Sequence, residues 1–122
     1  MAETALVDQN IEAGRQFVML LDELGIKVHA AFWLYRSDTE RWRLVIVCDE
    51  AAKGSRDLYL KAINAGTTMD LAMVEFQPTS SRFYQNLSQT LHIEGLSDAR
   101  VSQCTFNGVY IEDALIYRLS AA

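Results

Sequence analysis

The chain has 122 residues, half of them apolar and 22% charged; that balance suits one globular domain over residues 1–122 and excludes a disordered or low-complexity segment. Sixteen acidic residues against 11 basic ones leave a net charge of −5, so the broad basic footprint of a nucleic-acid binder is missing and nucleic acid is not a favoured partner. The uninterrupted apolar runs fall far short of the ~20 residues that span a bilayer. The opening MAETALVDQN puts Glu3 and Asp8 where a secretory leader needs positive charge, and a soluble, cytoplasmic protein without membrane attachment is expected.

Ile11, Gly14, Phe17 or Val18, Leu21 and Leu24 recur at helical spacing from Asp8 to Leu24, with Asp8 as N-cap and Gly25 ending the helix in a left-handed turn. IKVHAAFWLYR (Ile26 to Arg36) and RWRLVIVC (Arg41 to Cys48) are strand-like runs separated by SDTE, and together predict a β-hairpin. A short helix follows from Ser55, its N-cap, to Ala65, with Asp57 in the first turn and Gly66 at the end. DLAMVEFQ, from Asp70 to Gln77, is the third strand, stopped by Pro78, the only proline. Thr79 or Ser80 caps a third helix with Phe83, Leu87 and Leu91 on its apolar side, closed by Gly95. Val101 to Phe106 and Val109 to Leu119 flank Asn107-Gly108, a dipeptide suited to two-residue hairpin turns because both positions need positive φ. A bend is expected at Glu112-Asp113. The order is α-β-β-α-β-α-β-β: an α+β domain with one mixed five-stranded sheet and three helices.

With the hairpin turn centred on Asp38-Thr39, Tyr35 opposes Trp42, Trp33 opposes Leu44, Ala31 opposes Ile46 and His29 opposes Cys48 on one face. The other face pairs Ala30 with Val47, Phe32 with Val45, Leu34 with Arg43, and Arg36 with Arg41. Both faces are apolar toward the base, whereas a sheet with one wet face alternates cleanly. Both therefore need a cover, which either the three helices provide or a second copy of the chain completes. Trp33, Tyr35, Trp42 and Leu44 are of the types that enrich interface cores, and they mark the expected surface of a two-fold homodimer.

Four groups are candidates for chemistry. Arg36, Arg41 and Arg43 share one side of the hairpin tip, so a phosphate or carboxylate suits them as an anion-binding group unless Asp38 and Glu40 in the turn neutralise them. Asp49-Glu50 and Glu112-Asp113 form a divalent-metal or acid–base site if the two strand ends meet, with Lys53 or Arg118 nearby. His29 faces Cys48, and His92 precedes Cys104, yet neither cysteine has the helix-start or glycine-rich setting that activates a thiol. Both cysteines are expected to be reduced core thiols. HExxH, GxGxxG, a Walker loop and zinc-ligand spacing do not occur, so no catalytic residue is assigned and no cofactor is expected.

The blocks AFWLYRSDTERWRLVIV and FNGVYIEDALIYRL resemble those of small uncharacterised bacterial proteins of the orphan or mobile gene-cassette type. The resemblance implies a bacterial accessory protein and carries no activity or site residues with it. The expected function is a non-enzymatic protein-binding module acting as a homodimer with a protein partner. The alternative is a small enzyme or ligand-binding protein built on the acidic, metal-competent residues.

Overall fold

The hairpin at the centre of the chain organises everything else. The computed structural model describes residues 6, 8–94 and 96–121. Strands β1 (Val28–Arg36) and β2 (Arg41–Cys48) pair antiparallel, with Tyr35 opposite Trp42, Trp33 opposite Leu44 and Arg36 opposite Arg41. The turn between them closes through Glu40 at φ 54°, a left-handed residue of the kind that lets a longer hairpin loop rejoin its strand. At the base a bulge between Val28 and Ala30 places Val28, rather than His29, opposite Cys48. The expected pairing of His29 with Cys48 is therefore corrected: the bulge turns the imidazole aside, and its Nε2 lies 3.2 Å from Asp49 Oδ1.

Helix α1 (Asp8–Glu23) precedes the hairpin, and a short 3₁₀ turn (Asp49–Lys53) and α2 (Arg56–Asn64) follow it. Then come a second 3₁₀ turn (Leu71–Met73), β3 (Val74–Gln77), α3 (Arg82–Ser88), β4 (Ala99–Phe106) and β5 (Val109–Leu119). The sheet order is β3-β2-β1-β5-β4. Strands β2 and β3 run parallel, as a helical crossover allows, and the other neighbours are antiparallel. This is the expected α+β domain with a mixed five-stranded sheet. The β4–β5 turn has Asn107 at φ 49° and Gly108 at φ 82°, both positive as its dipeptide requires.

Local boundaries differ where side chains compete for the backbone. Leu71–Met73 are not extended, because Asp70 Oδ1 accepts the Ala72 amide at 3.1 Å and caps a 3₁₀ turn, leaving β3 only four residues. The third helix starts one or two positions later than expected. Ser81 Oγ, not Thr79 or Ser80, accepts the Tyr84 amide, and Tyr84, Leu87 and Ser88 are its buried residues. Ser55 stands before α2 but makes no side-chain cap, and Asp8 is the first residue of α1 rather than a flanking cap. Strand β5 runs unbroken through Glu112 and Asp113. Gly95 and the N-terminal residues 1–5 and 7, on which the helix-closing and leader readings fall, lie outside the described residues.

Two hydrophobic layers result. Phe17, Val18 and Leu21 of α1 and Leu58 and Ala62 of α2 pack with Ala31, Trp33, Leu44, Ile46 and Tyr117 on one face. Tyr84 and Leu87 of α3 pack with Phe32, Leu34, Val45, Ala114 and Ile116 on the other. Helices of one chain thus cover both faces, which accounts for strands that are apolar on both sides. No helix among the described residues is long and apolar enough to cross a membrane.

Candidate functional site

The aromatic group assigned to an interface is core. Trp33 and Leu44 are fully buried, Trp42 is 6% exposed and Tyr35 is half-buried. The cover is α1. A Cβ on Gly14 would stand 2.6 Å from Tyr117 Oη and 2.8 Å from Trp33 Nε1, so only glycine lets the helix backbone lie this close. Toward the tip, Tyr35 and Trp42 stack with centroids 5.5 Å apart, and the Arg100 guanidinium lies 5.5 Å from the centre of the Trp42 ring. The expectation that Trp33, Trp42 and Leu44 offer surface to a second copy is corrected on that ground: the chain's own helix and Arg100 already occupy it.

The acidic pairs do not meet. Asp113 pairs with Tyr35 at the hairpin tip, whereas Asp49 follows Cys48 at the base, opposite Val28. From Val28 to Tyr35 the strand rises about 20 Å. Glu112 and Asp113 also have their own local work. Glu112 accepts the Ser37 amide at 3.0 Å and the Ser37 hydroxyl at 2.8 Å, fastening the turn to β5. Asp113 receives both arms of Arg100, at 2.8 and 2.7 Å, and the Ser102 hydroxyl at 3.0 Å. The Arg100 hydrogen bonds, with help from Ser102, hold the Asp113 carboxyl below its ordinary range. Arg118 is engaged with Asp22 at 3.0 and 2.9 Å, and Lys53 ends the 3₁₀ turn beside Asp49-Glu50. Among the described residues no three His, Cys, Asp or Glu side chains are grouped to hold a metal ion.

The cysteines have different fates. Cys48 is fully buried, and burial pushes its thiol pKa up, away from the reactive thiolate. Cys104 is exposed, which corrects its assignment to the core. It lies on β4, an edge strand, one residue past Gln103, whose φ of 51° marks a break in the pairing with β5.

What remains is the other side of the hairpin tip. Arg36, Arg41 and Arg43 converge there with Thr39 and Glu75 around an open cleft of about 410 Å³. Antiparallel register forces Arg36 opposite Arg41, and the parallel pairing of Val45 with Glu75 brings the carboxylate of β3 alongside. Glu75 Oε1 lies 3.5 Å from Arg36 Nη1 and 3.9 Å from Arg43 Nε, long distances that share one oxygen between two cations. Its other oxygen accepts from Gln77 at 2.5 Å. Arg41 has no ion pair among the described residues. Asp38 accepts the Thr39 amide at 3.0 Å, and Glu40 lines an adjoining concavity with Asp70 that Arg41 and Arg43 also border. Among the described residues neither turn acid forms an ion pair with the arginines. Glu75 neutralises them in part, and sequence reasoning missed it because its place depends on the β2–β3 register.

Comparison with known proteins finds no matching family model, no matching curated protein and no matching solved structure.

Proposed function

We propose that this protein is a non-enzymatic binding module that receives an anionic segment of a partner protein in the cleft of Arg36, Arg41 and Arg43. One observation carries the reading: three guanidinium groups face one cleft and a single carboxylate, Glu75, pairs with them at long range. Like charges placed directly across a strand pair are destabilising, so the Arg36–Arg41 opposition favours a compensating anion. Arginine presents fixed N–H forks that match such groups bidentately and is over-represented at binding hot spots. The wide separation of the acidic pairs and the buried, protonated Cys48 thiol favour binding over the enzymatic alternative.

The reading is tested by titrating isotopically labelled protein with a glutamate-rich peptide at low ionic strength. Resonances of Arg36, Thr39, Arg41 and Arg43 are expected to move together and saturably, with affinity falling as salt is added. Saturable shifts confined to another face of the sheet, or none at all, would remove the reading.

A further inference from the structure

Resting on that reading, we infer that the group this cleft selects is a phosphate monoester dianion carried on the partner polypeptide, in preference to the partner's carboxylates. Arg36 and Arg41 stand side by side on the same face, on adjacent antiparallel strands, where paired Cα atoms are about 4.5–5.5 Å apart. A carboxylate has two oxygens whose lone pairs lie in one plane, so one guanidinium fork takes its open edge and further donors must approach in that same plane. A phosphoryl group has three terminal oxygens set tetrahedrally, so two guanidinium forks can approach it from different directions at once. The pair of opposed arginines is thus better matched by the tetrahedral oxygens of one phosphoryl group than by the planar oxygens of one carboxylate.

Charge points the same way. Among the groups that line the cleft itself, three guanidinium charges less the one carboxylate of Glu75 leave two positive charges, with Glu40 and Asp70 in the adjoining concavity that Arg41 and Arg43 also border. A phosphate monoester, whose second ionisation falls near pH 6, carries close to two negative charges at neutral pH. Glu75 is held off at 3.5 and 3.9 Å, and its Oε2 is occupied by Gln77. A phosphoryl group entering between Arg36 and Arg41 therefore displaces no short ion pair of Arg41 and only weak contacts of Arg36. The Thr39 hydroxyl, whose hydrogen bond to the Arg36 carbonyl is 3.4 Å long, lines the same cleft and can turn to donate.

The test is calorimetry on the whole chain with four probes: inorganic phosphate, sulfate, a phosphoserine peptide and the same peptide with glutamate in place of phosphoserine. The phosphopeptide is expected to bind at least tenfold more tightly than its glutamate counterpart. Phosphate affinity is expected to rise severalfold from pH 5.5 to 7.5, as the second proton leaves, while sulfate, a dianion throughout, controls for titration of the protein. Arg41→Gln and Arg36→Gln should each abolish the preference; both positions are at the solvent-facing tip, and circular dichroism verifies that each variant is folded. Equal affinity for the two peptides, or phosphate binding that does not follow its second ionisation, overturns this inference and leaves the cleft as a carboxylate site. Binding of inorganic phosphate without the phosphopeptide overturns it in favour of a small free anion. No binding by any probe rejects both the inference and the proposed function beneath it.

Discussion

Trp33 Nε1 donates a 2.9 Å hydrogen bond to Tyr117 Oη, and Tyr117 in turn donates to the carbonyl of Ile11. The chain of bonds joins the central strand β1, its neighbour β5 and the helix that covers them. Both rings are fully buried, so each polar atom needs the partner it has. Gly14 sits directly above the pair.

Gly14→Ala should therefore destabilise the fold even though alanine is the better helix former by about 1 kcal/mol. The added methyl group meets Tyr117 and Trp33 at distances that atoms do not tolerate, and such overpacking costs about 1–3 kcal/mol. Tyr117→Phe leaves both the Trp33 N–H and the Ile11 carbonyl without that partner, and is expected to cost about 1–3 kcal/mol as well. Denaturant unfolding of the two single variants checks both values. An unchanged midpoint for Gly14→Ala would show that the helix does not rest where the structure puts it.

The same tyrosine governs alkaline behaviour. Burial, outweighing the help of Trp33 and Arg15, pushes the Tyr117 pKa up to about 12 from its ordinary 10. A raised folded-state pKa means that the stabilisation is fully present below pH 10 and is lost as pH climbs from 10 toward 12, at up to about 1.4 kcal/mol per pH unit. Tyr117→Phe should start from a lower stability near neutrality and lose less between pH 10 and 12 than the parent. Parallel stability–pH curves for the two proteins would contradict this.

Thiol labelling separates the two cysteines. Cys104 is expected to react with a thiol reagent in the native protein, and Cys48 only on unfolding, because a fully buried thiol with a raised pKa offers neither access nor thiolate. Mass spectrometry should find one label per native chain, on Cys104, and two after denaturation. Native labelling at Cys48 would place the base of the hairpin open to solvent.

The order of elements and the hairpin register were readable in the sequence because each rests on local chemistry. The polar break at Ser37–Glu40 sets the parity of two strands, and Asn107-Gly108 supplies two positive φ values. What was not readable depends on distant partners. The bulge at His29 goes with its carbonyl accepting both the amide and the hydroxyl of Ser120, each at 2.9 Å. Ser81 could not be told from Thr79 and Ser80 as a cap, since the choice accompanies the docking of Tyr84 on the Ser120 carbonyl. The aromatic face looked open because nothing local announces that Gly14 seats α1 upon it. Of the candidate site, the three arginines were visible as a cluster, but the part-neutralising Glu75 appears only once β3 lies parallel to β2.

The unmatched charge of the arginine cleft is the centre of this account, and one comparison addresses it most directly: the affinity of the glutamate-rich peptide for the parent chain, for Arg41→Glu and for Glu75→Gln, at one low salt concentration. Arg41→Glu places a carboxylate where Arg41 stands without an ion pair, and Glu75→Gln frees Arg36 and Arg43 from their shared oxygen. At least a tenfold loss of affinity is expected for the first and a severalfold gain for the second, with all three proteins folded. Three equal affinities, or a loss of binding on Glu75→Gln, would contradict it.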